Sequence, residues 1–159
     1  MKLLDYTTES ALLPRQEYHG LGQLLRRQAQ ALASAGLVTD ATLLLRDVLR
    51  REVEGGTAMP EGLVIPHARS LAVTRVCLSI ATLVKAVPAQ GADGEEYKVD
   101  LVILLSGPPT DHRLLLRVLA RLAREVRTGG FLSRLRGAAT PGAMAEVLSG
   151  IAEERVNGS

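Results

Sequence analysis

Three histidines, His19, His67 and His112, and a single cysteine, Cys77, are among the side chains in this sequence whose types could carry covalent or metal chemistry. Their spacing argues against a metal. The histidines form no compact ligand motif, and Cys77 lies inside the alternating run Val76-Cys77-Leu78-Ser79-Ile80, where a small buried hydrophobe is expected. The sequence holds no Walker A loop, no glycine-rich dinucleotide fingerprint after a strand, and no Gly-x-Ser-x-Gly elbow. What remains is histidine chemistry, which calls for neither cofactor nor metal. A neutral imidazole nitrogen is nucleophilic at physiological pH, whereas a hydroxyl needs a base to activate it. His67 is the best placed of the three: it follows the apolar run Leu63-Val64-Ile65 and then Pro66, and is expected in a turn at the end of a short strand, a common position for catalytic groups. His19 has no such setting and reads as incidental.

The elements that must position His67 can be read from periodicity. Leu21, Leu24, Leu25, Ala29, Leu32 and Ala33 follow a helical period that Gly36 stops. A second helix is capped by Thr39 or Asp40, carries Leu43, Leu44, Val48 and Leu49 on its apolar stripe, and ends at Gly55-Gly56. Three β-rich runs, Leu63-Val64-Ile65, Val73 to Leu83 and Val99 to Leu105, predict strands, and the segments near 3–6 and 10–14 are candidates for one or two more. After Ser106-Gly107-Pro108-Pro109 breaks the third run, Thr110 or Asp111 can cap a long helix. Its expected buried stripe is Leu115, Val118, Leu119, Leu122 and Val126. Gly129-Gly130 separates this helix from a shorter one over Phe131–Arg136, and Thr140-Pro141 opens a last one through about Ile151. Helices before, between and after strands predict an α/β fold, a single-domain mixed β-sheet flanked by helices. The domain is expected to cover residues 1–154, with a short flexible tail over 155–159.

Composition narrows the partners. The chain of 159 residues is 47% apolar and 23% charged, ordinary for one globular domain. A net charge of +2 is too small to demand an anionic polymer. Arg113, Arg117, Arg121 and Arg124 recur at helical spacing and predict a solvated helix face, and one Phe with no Trp leaves little to stack on bases, so nucleic acid is not an expected partner. Asp5 interrupts any secretory signal, and the most apolar run, Leu101 to Leu105, is far short of the ~20 residues that cross a bilayer as a helix. A cytoplasmic protein without membrane insertion is expected.

The stretch from Arg51 to Arg69 resembles the active-site signature of the enzyme IIA domains of the fructose/mannitol class in the bacterial sugar phosphotransferase system. Glu52, Met59, Leu63, Ile65, Pro66, His67 and Ala68 match that pattern, while Pro60 and Val64 stand where a small residue and an alanine are usual. The likeness continues through Asp93-Gly94, the run Val99 to Leu105, Pro109, and His112 with Leu115, Leu116 and Leu119 after it, so that it covers most of the chain.

The resemblance implies the fructose/mannitol enzyme IIA fold and a phosphotransferase component working through a phosphohistidine intermediate. His67 becomes the phosphoryl acceptor, His112 the second active-site histidine and Arg51 the neighbouring arginine, with Thr57, Arg51 and His112 holding phosphate. Phosphoryl transfer passes through a loose transition state, so alignment and charge stabilisation are the protein's main tasks. A forked guanidinium suits that work, as do the free N–H groups at a helix start. The implied donor is the histidine phosphocarrier protein, and the implied acceptor an enzyme IIB domain. Two further readings stay open: a regulatory protein of the nitrogen-related branch, whose phosphorylation state controls target proteins, and a non-phosphorylated interaction module on the same fold.

Overall fold

In the computed structural model, residues 1–150 are described in full and 151–157 by their backbone alone. Its centre is a sheet of five strands: β1 (Leu12–Gln16), β2 (Leu63–Val64), β3 (His67–Arg69), β4 (Cys77–Gln90) and β5 (Glu96–Gly107). The order is β1-β4-β5-β2, and β3 also pairs with β5. The long β4–β5 hairpin is antiparallel, while β1 runs parallel to β4 and both β2 and β3 run parallel to β5, giving the mixed sheet expected.

Burial on both faces explains the near-continuous apolar run of β5, since a strand covered on each side needs no polar alternation. On one face Cys77, Ala81, Val102 and Leu104 pack under α1 (Leu21–Ser34) and α2 (Ala41–Glu54). On the other, Leu78, Ile80, Leu101, Ile103 and Leu105 pack under α3 (His112–Arg127), α4 (Phe131–Gly137) and α5 (Pro141–Asn157). The buried Gln28 of α1 ties its layer to the sheet, its Nε2 donating to the carbonyls of Ser79 and Val102 at 3.1 Å each. Asp40 is the cap of α2, its Oδ1 accepting from the Leu43 N–H at 3.0 Å.

Several local expectations change. Residues 3–6 form a 3-10 turn rather than a strand, with Leu3 wholly buried. The strand expected from Val73 begins only at Cys77, because Val73 turns back to bond the Ser70 carbonyl, and it runs on to Gln90 through Pro88. Neither Thr110 nor Asp111 caps α3 by its side chain; a 3-10 turn over Pro109–Asp111 leads into it instead. Arg121 is not on a solvated face: it is 4% exposed and paired with the buried Glu125 at 3.3 Å. The backbone of α5 runs past Ile151, and the tail expected over 155–159 lies outside the residues described in full.

Candidate functional site

The edge of the sheet beside β5 is one strand broken in two. Leu63 and Val64 register with Leu101 and Val102, and His67, Ala68 and Arg69 with Leu105, Ser106 and Gly107. Pro66 has no N–H to give the ladder, although its carbonyl still accepts from the Leu105 N–H at 3.0 Å. At the break both backbone groups of Ile65 find partners outside the ladder. Its N–H donates to the Thr57 hydroxyl at 3.2 Å, and its carbonyl faces Nδ1 of His67 at 2.9 Å. His67 therefore opens β3 rather than sitting in a turn, and it is half-buried.

That last contact fixes the ring's chemistry. A carbonyl oxygen can only accept, so Nδ1 carries the proton and donates it, leaving the lone pair of the neutral ring on Nε2. Nε2 has no hydrogen-bond partner among the described residues.

Behind the ring stands a polar strut built on Thr57, a residue expected against phosphate instead. The Thr57 hydroxyl donates to Glu52 Oε1 at 2.8 Å while accepting from Ile65, so α2 is linked through Glu52, Thr57 and Ile65 to His67. Burial pushes the Glu52 carboxyl above the usual range; the hydrogen bonds from Thr57, and to a smaller degree the charges of His67 and Arg51, pull it back. The loop carrying Thr57 lies close against the hairpin. The Ala58 N–H donates to the Gln90 carbonyl at 2.9 Å, and a Cβ on Gly56 would lie 2.0 Å from that oxygen.

His67 lines an open depression of about 580 Å³, to which Arg51 from the last turn of α2 and His112 from the first turn of α3 also contribute. Three of the four expected site residues thus share one concavity. Thr57 does not line it, its hydroxyl being engaged by Glu52 and Ile65. Arg51 is exposed, and its guanidinium donates only to the Gly55 carbonyl at 3.3 Å, an attachment weak enough to leave the fork free to turn. His19 lies away from the depression, as its incidental reading required.

Three more arginines, Arg46, Arg50 and Arg69, line the same depression. Spacing carried a signal for each: Arg46 and Arg50 stand four apart on one helix, and Arg69 shares a strand face with His67 two residues earlier. Only Asp47 and Glu54 answer them in the lining, and Asp47 pairs with Arg46 at 3.3 Å. An anion is the charge this surface favours. No group of acidic, histidine or cysteine side chains that could hold a metal occurs among the described residues.

Residues 6–150 match the family model described as "Phosphoenolpyruvate-dependent sugar phosphotransferase system, EIIA 2". The chain is 36% identical over 147 residues to the 2-O-alpha-mannosyl-D-glycerate-specific EIIABC component of Escherichia coli K12, covering 89% of this chain and 21% of that much longer protein. It is 30% identical over 152 residues to a nitrogen regulatory protein of Bradyrhizobium diazoefficiens, covering 94% of this chain and 95% of that one. Among solved structures, nitrogen regulatory protein IIA-Ntr of Neisseria meningitidis superposes with a TM-score of 0.79 at 20% identity, over 91% of this chain and 97% of that one. Enzyme IIA mannitol of Escherichia coli, in its complex with phosphorylated enzyme IIB mannitol, does so with a TM-score of 0.71 at 16% identity, over 89% and 95%. These two share the fold.

Proposed function

The chain belongs to the EIIA 2 family of the phosphoenolpyruvate-dependent sugar phosphotransferase system, and from that premise we propose that His67 carries a phosphoryl group between two proteins. The observation that supports this most directly is the Nδ1–Ile65 hydrogen bond, which leaves Nε2 as the nucleophile within the depression. In the transfer, the Nε2 lone pair attacks phosphorus as the P–N bond to the donor's histidine breaks, and that bond's electron pair returns to the donor ring nitrogen. His67 keeps its Nδ1 proton throughout, and the charge that develops on its phosphorylated ring is shared with the Ile65 carbonyl.

Arg51 and His112 take the phosphate oxygens in this reading, as a fork and as a single N–H donor respectively. The start of α3 adds its positive dipole end. Thr57, expected to touch phosphate, acts instead as a positioning residue that holds Ile65, and through it the ring. The donor is the histidine phosphocarrier protein and the acceptor an enzyme IIB domain, both in the cytoplasm. Among the described residues no helix is long and apolar enough to cross a membrane.

Incubation with phosphoenolpyruvate, enzyme I and the histidine phosphocarrier protein, followed by intact-mass measurement, tests the assignment. One acid-labile phosphate is expected on the wild type and none on His67→Gln. A phosphate that persists in His67→Gln removes His67 from the role. A second reading, control of target proteins in the nitrogen branch, is favoured by the match along 95% of the Bradyrhizobium protein. Transfer of the label from His67 onward to a IIB domain supports carriage. A label that stays on His67 while changing which proteins the chain binds supports control.

A further inference from the structure

A second concavity borders the last turn of α2 and shares only Glu54 with the His67 depression. It encloses about 860 Å³ between Leu21 of α1, Leu49 and Val53 of α2, and Ala89 and Ala92 of the β4–β5 hairpin. Leu49 and Val53 are 38% and 88% exposed, so the fold leaves this apolar surface uncovered. Its extent is limited. The neighbouring exposed side chains are Arg46 and Arg50 on α2 and Asp93 and Glu95 in the hairpin turn, so the apolar area ends at the groove's edges. A concave site of about 300–1,000 Å³ with apolar walls suits a small molecule.

The charge of the groove has one sign. Glu52 and Glu54 line it, and no lysine, arginine or histidine does, although the chain carries 19 lysines and arginines. Among the described residues neither carboxylate forms an ion pair. The groove also takes in Gly55 and Gly56 at the C-terminal end of α2, where the helix dipole is negative. There the Arg51 carbonyl accepts from the Gly55 N–H, while those of Glu52, Val53 and Glu54 take no backbone N–H among the described residues. Aliphatic walls beside carboxylates and free carbonyls complement a hydrocarbon body that ends in N–H donors and a positive charge. We infer that this groove binds a small aliphatic ammonium compound and that its occupant restrains His67. The link is Glu52, whose Oε1 accepts from the Thr57 hydroxyl and so begins the chain of bonds through Ile65 to the ring. An ammonium beside Glu52 competes for that carboxylate, loosens the hold on the ring and slows transfer. The binding site stands on the groove alone, while its effect on transfer rests on the phosphocarrier reading of His67.

The test titrates the isotope-labelled chain with n-hexylammonium, n-hexanol and n-hexanoate at matched ionic strength and follows backbone amide resonances. The three probes share one hydrocarbon body and differ in charge. Hexylammonium should give saturable shifts at Gly56, Gly91 and Ala92, with hexanol at least about tenfold weaker and hexanoate weaker still. Val53→Lys, at an exposed position, sets a tethered ammonium in the groove and should weaken hexylammonium binding at least about tenfold. Hexanol binding as tightly as hexylammonium, or Val53→Lys binding as tightly as the wild type, overturns the site. Shifts spread evenly over other acidic surfaces mark an adventitious additive only and overturn it too. Shifts at the same amides on raising the chain's own concentration, without any probe, give the groove to a second copy and likewise overturn it. The effect on His67 is read with phosphoramidate, a small donor whose P–N bond breaks as its phosphoryl group moves to Nε2 and ammonia leaves. Saturating hexylammonium should slow this labelling at least about threefold in the wild type, and should not slow Val53→Lys relative to that variant's own rate. Binding with an unchanged labelling rate overturns the restraint on His67. A chain that takes no phosphate even without a probe defeats the phosphocarrier reading while the binding result stands, so the two failures are distinguishable.

Discussion

At the scale of single residues, one imidazole of the depression is held through Nδ1, which leaves Nε2 unengaged among the described residues. The hold comes through the Ile65 peptide, and that peptide is in turn held by the Thr57 hydroxyl, which both donates and accepts. Thr57→Val removes both bonds and leaves the Ile65 N–H without its partner, so it should cost about 1–3 kcal/mol in urea unfolding and slow phosphoramidate labelling of His67. Thr57→Ser keeps the hydroxyl and should restore labelling. Glu52 gives a separate prediction with a definite sign. Burial raises its carboxyl above the ordinary value of 4.5, so the native chain holds the proton more tightly than the unfolded chain does. Stability contributed by this group therefore falls as pH rises from about 4.5 through the raised folded value, and the deficit is complete above it. Glu52→Gln, which can still accept from Thr57, should gain stability over the wild type at neutral pH and lose that advantage when both are unfolded near pH 4. An advantage that grows on acidification would contradict the burial argument.

At the scale of elements, the decisive feature is the interrupted edge strand and the loop that braces it. Gly56 approaches the Gln90 carbonyl so closely that a side chain there must push the loop away from the hairpin. Gly56→Ala should therefore displace Thr57, destabilise the chain, and slow labelling of His67 with no residue of the depression replaced. Hydrogen exchange at the Ala58 amide, which bonds Gln90, should quicken in step. This bracing was hidden in the sequence because it joins residues far apart through backbone atoms. By contrast, α1, α2 and α3 and the core of β5 were legible, since their apolar periods match one-sided and two-sided burial. The far half of β4 was not: the expected strand stopped at Leu83, yet the hairpin carries Lys85, Pro88 and Gln90 beyond the covered sheet, where polar side chains are no burden. Arg121 misled for the opposite reason. Its spacing matched the exposed arginines, but the partner that lets it be buried, Glu125, stands one turn further along the same helix. The Pro-His pair and His112 were legible because their types and positions resemble a known signature. Arg46, Arg50 and Arg69 were overlooked because surface arginines are common, and only the folded chain shows that they converge.

At the scale of the whole molecule, the two layers divide the labour. The layer of α1 and α2 brings Arg46, Arg50, Arg51 and Glu52 to the broken edge, while most of the layer of α3, α4 and α5 closes the opposite face. Like-charge repulsion along α3 costs only some tenths of a kcal/mol per pair, whereas each fully buried side chain such as Leu115, Val118 or Leu122 contributes about 1.5–3 kcal/mol, so packing dominates and the exposed Arg113 and Arg117 are tolerated. Leu3 sits in the same layer, wholly buried with Phe131, Met144 and Leu148, and it does not line the depression. Leu3→Ala leaves a cavity there and should lower stability by about 2–5 kcal/mol. If the layers are as separable as this arrangement requires, that variant should label at His67 at the wild-type rate at any temperature well below its melting transition. The comparison is informative because Thr57→Val is expected to lose less stability and yet more reactivity. Should Leu3→Ala slow labelling while still folded, the back layer would be coupled to the ring, and the N-terminal turn would then be part of what sets the geometry of the depression.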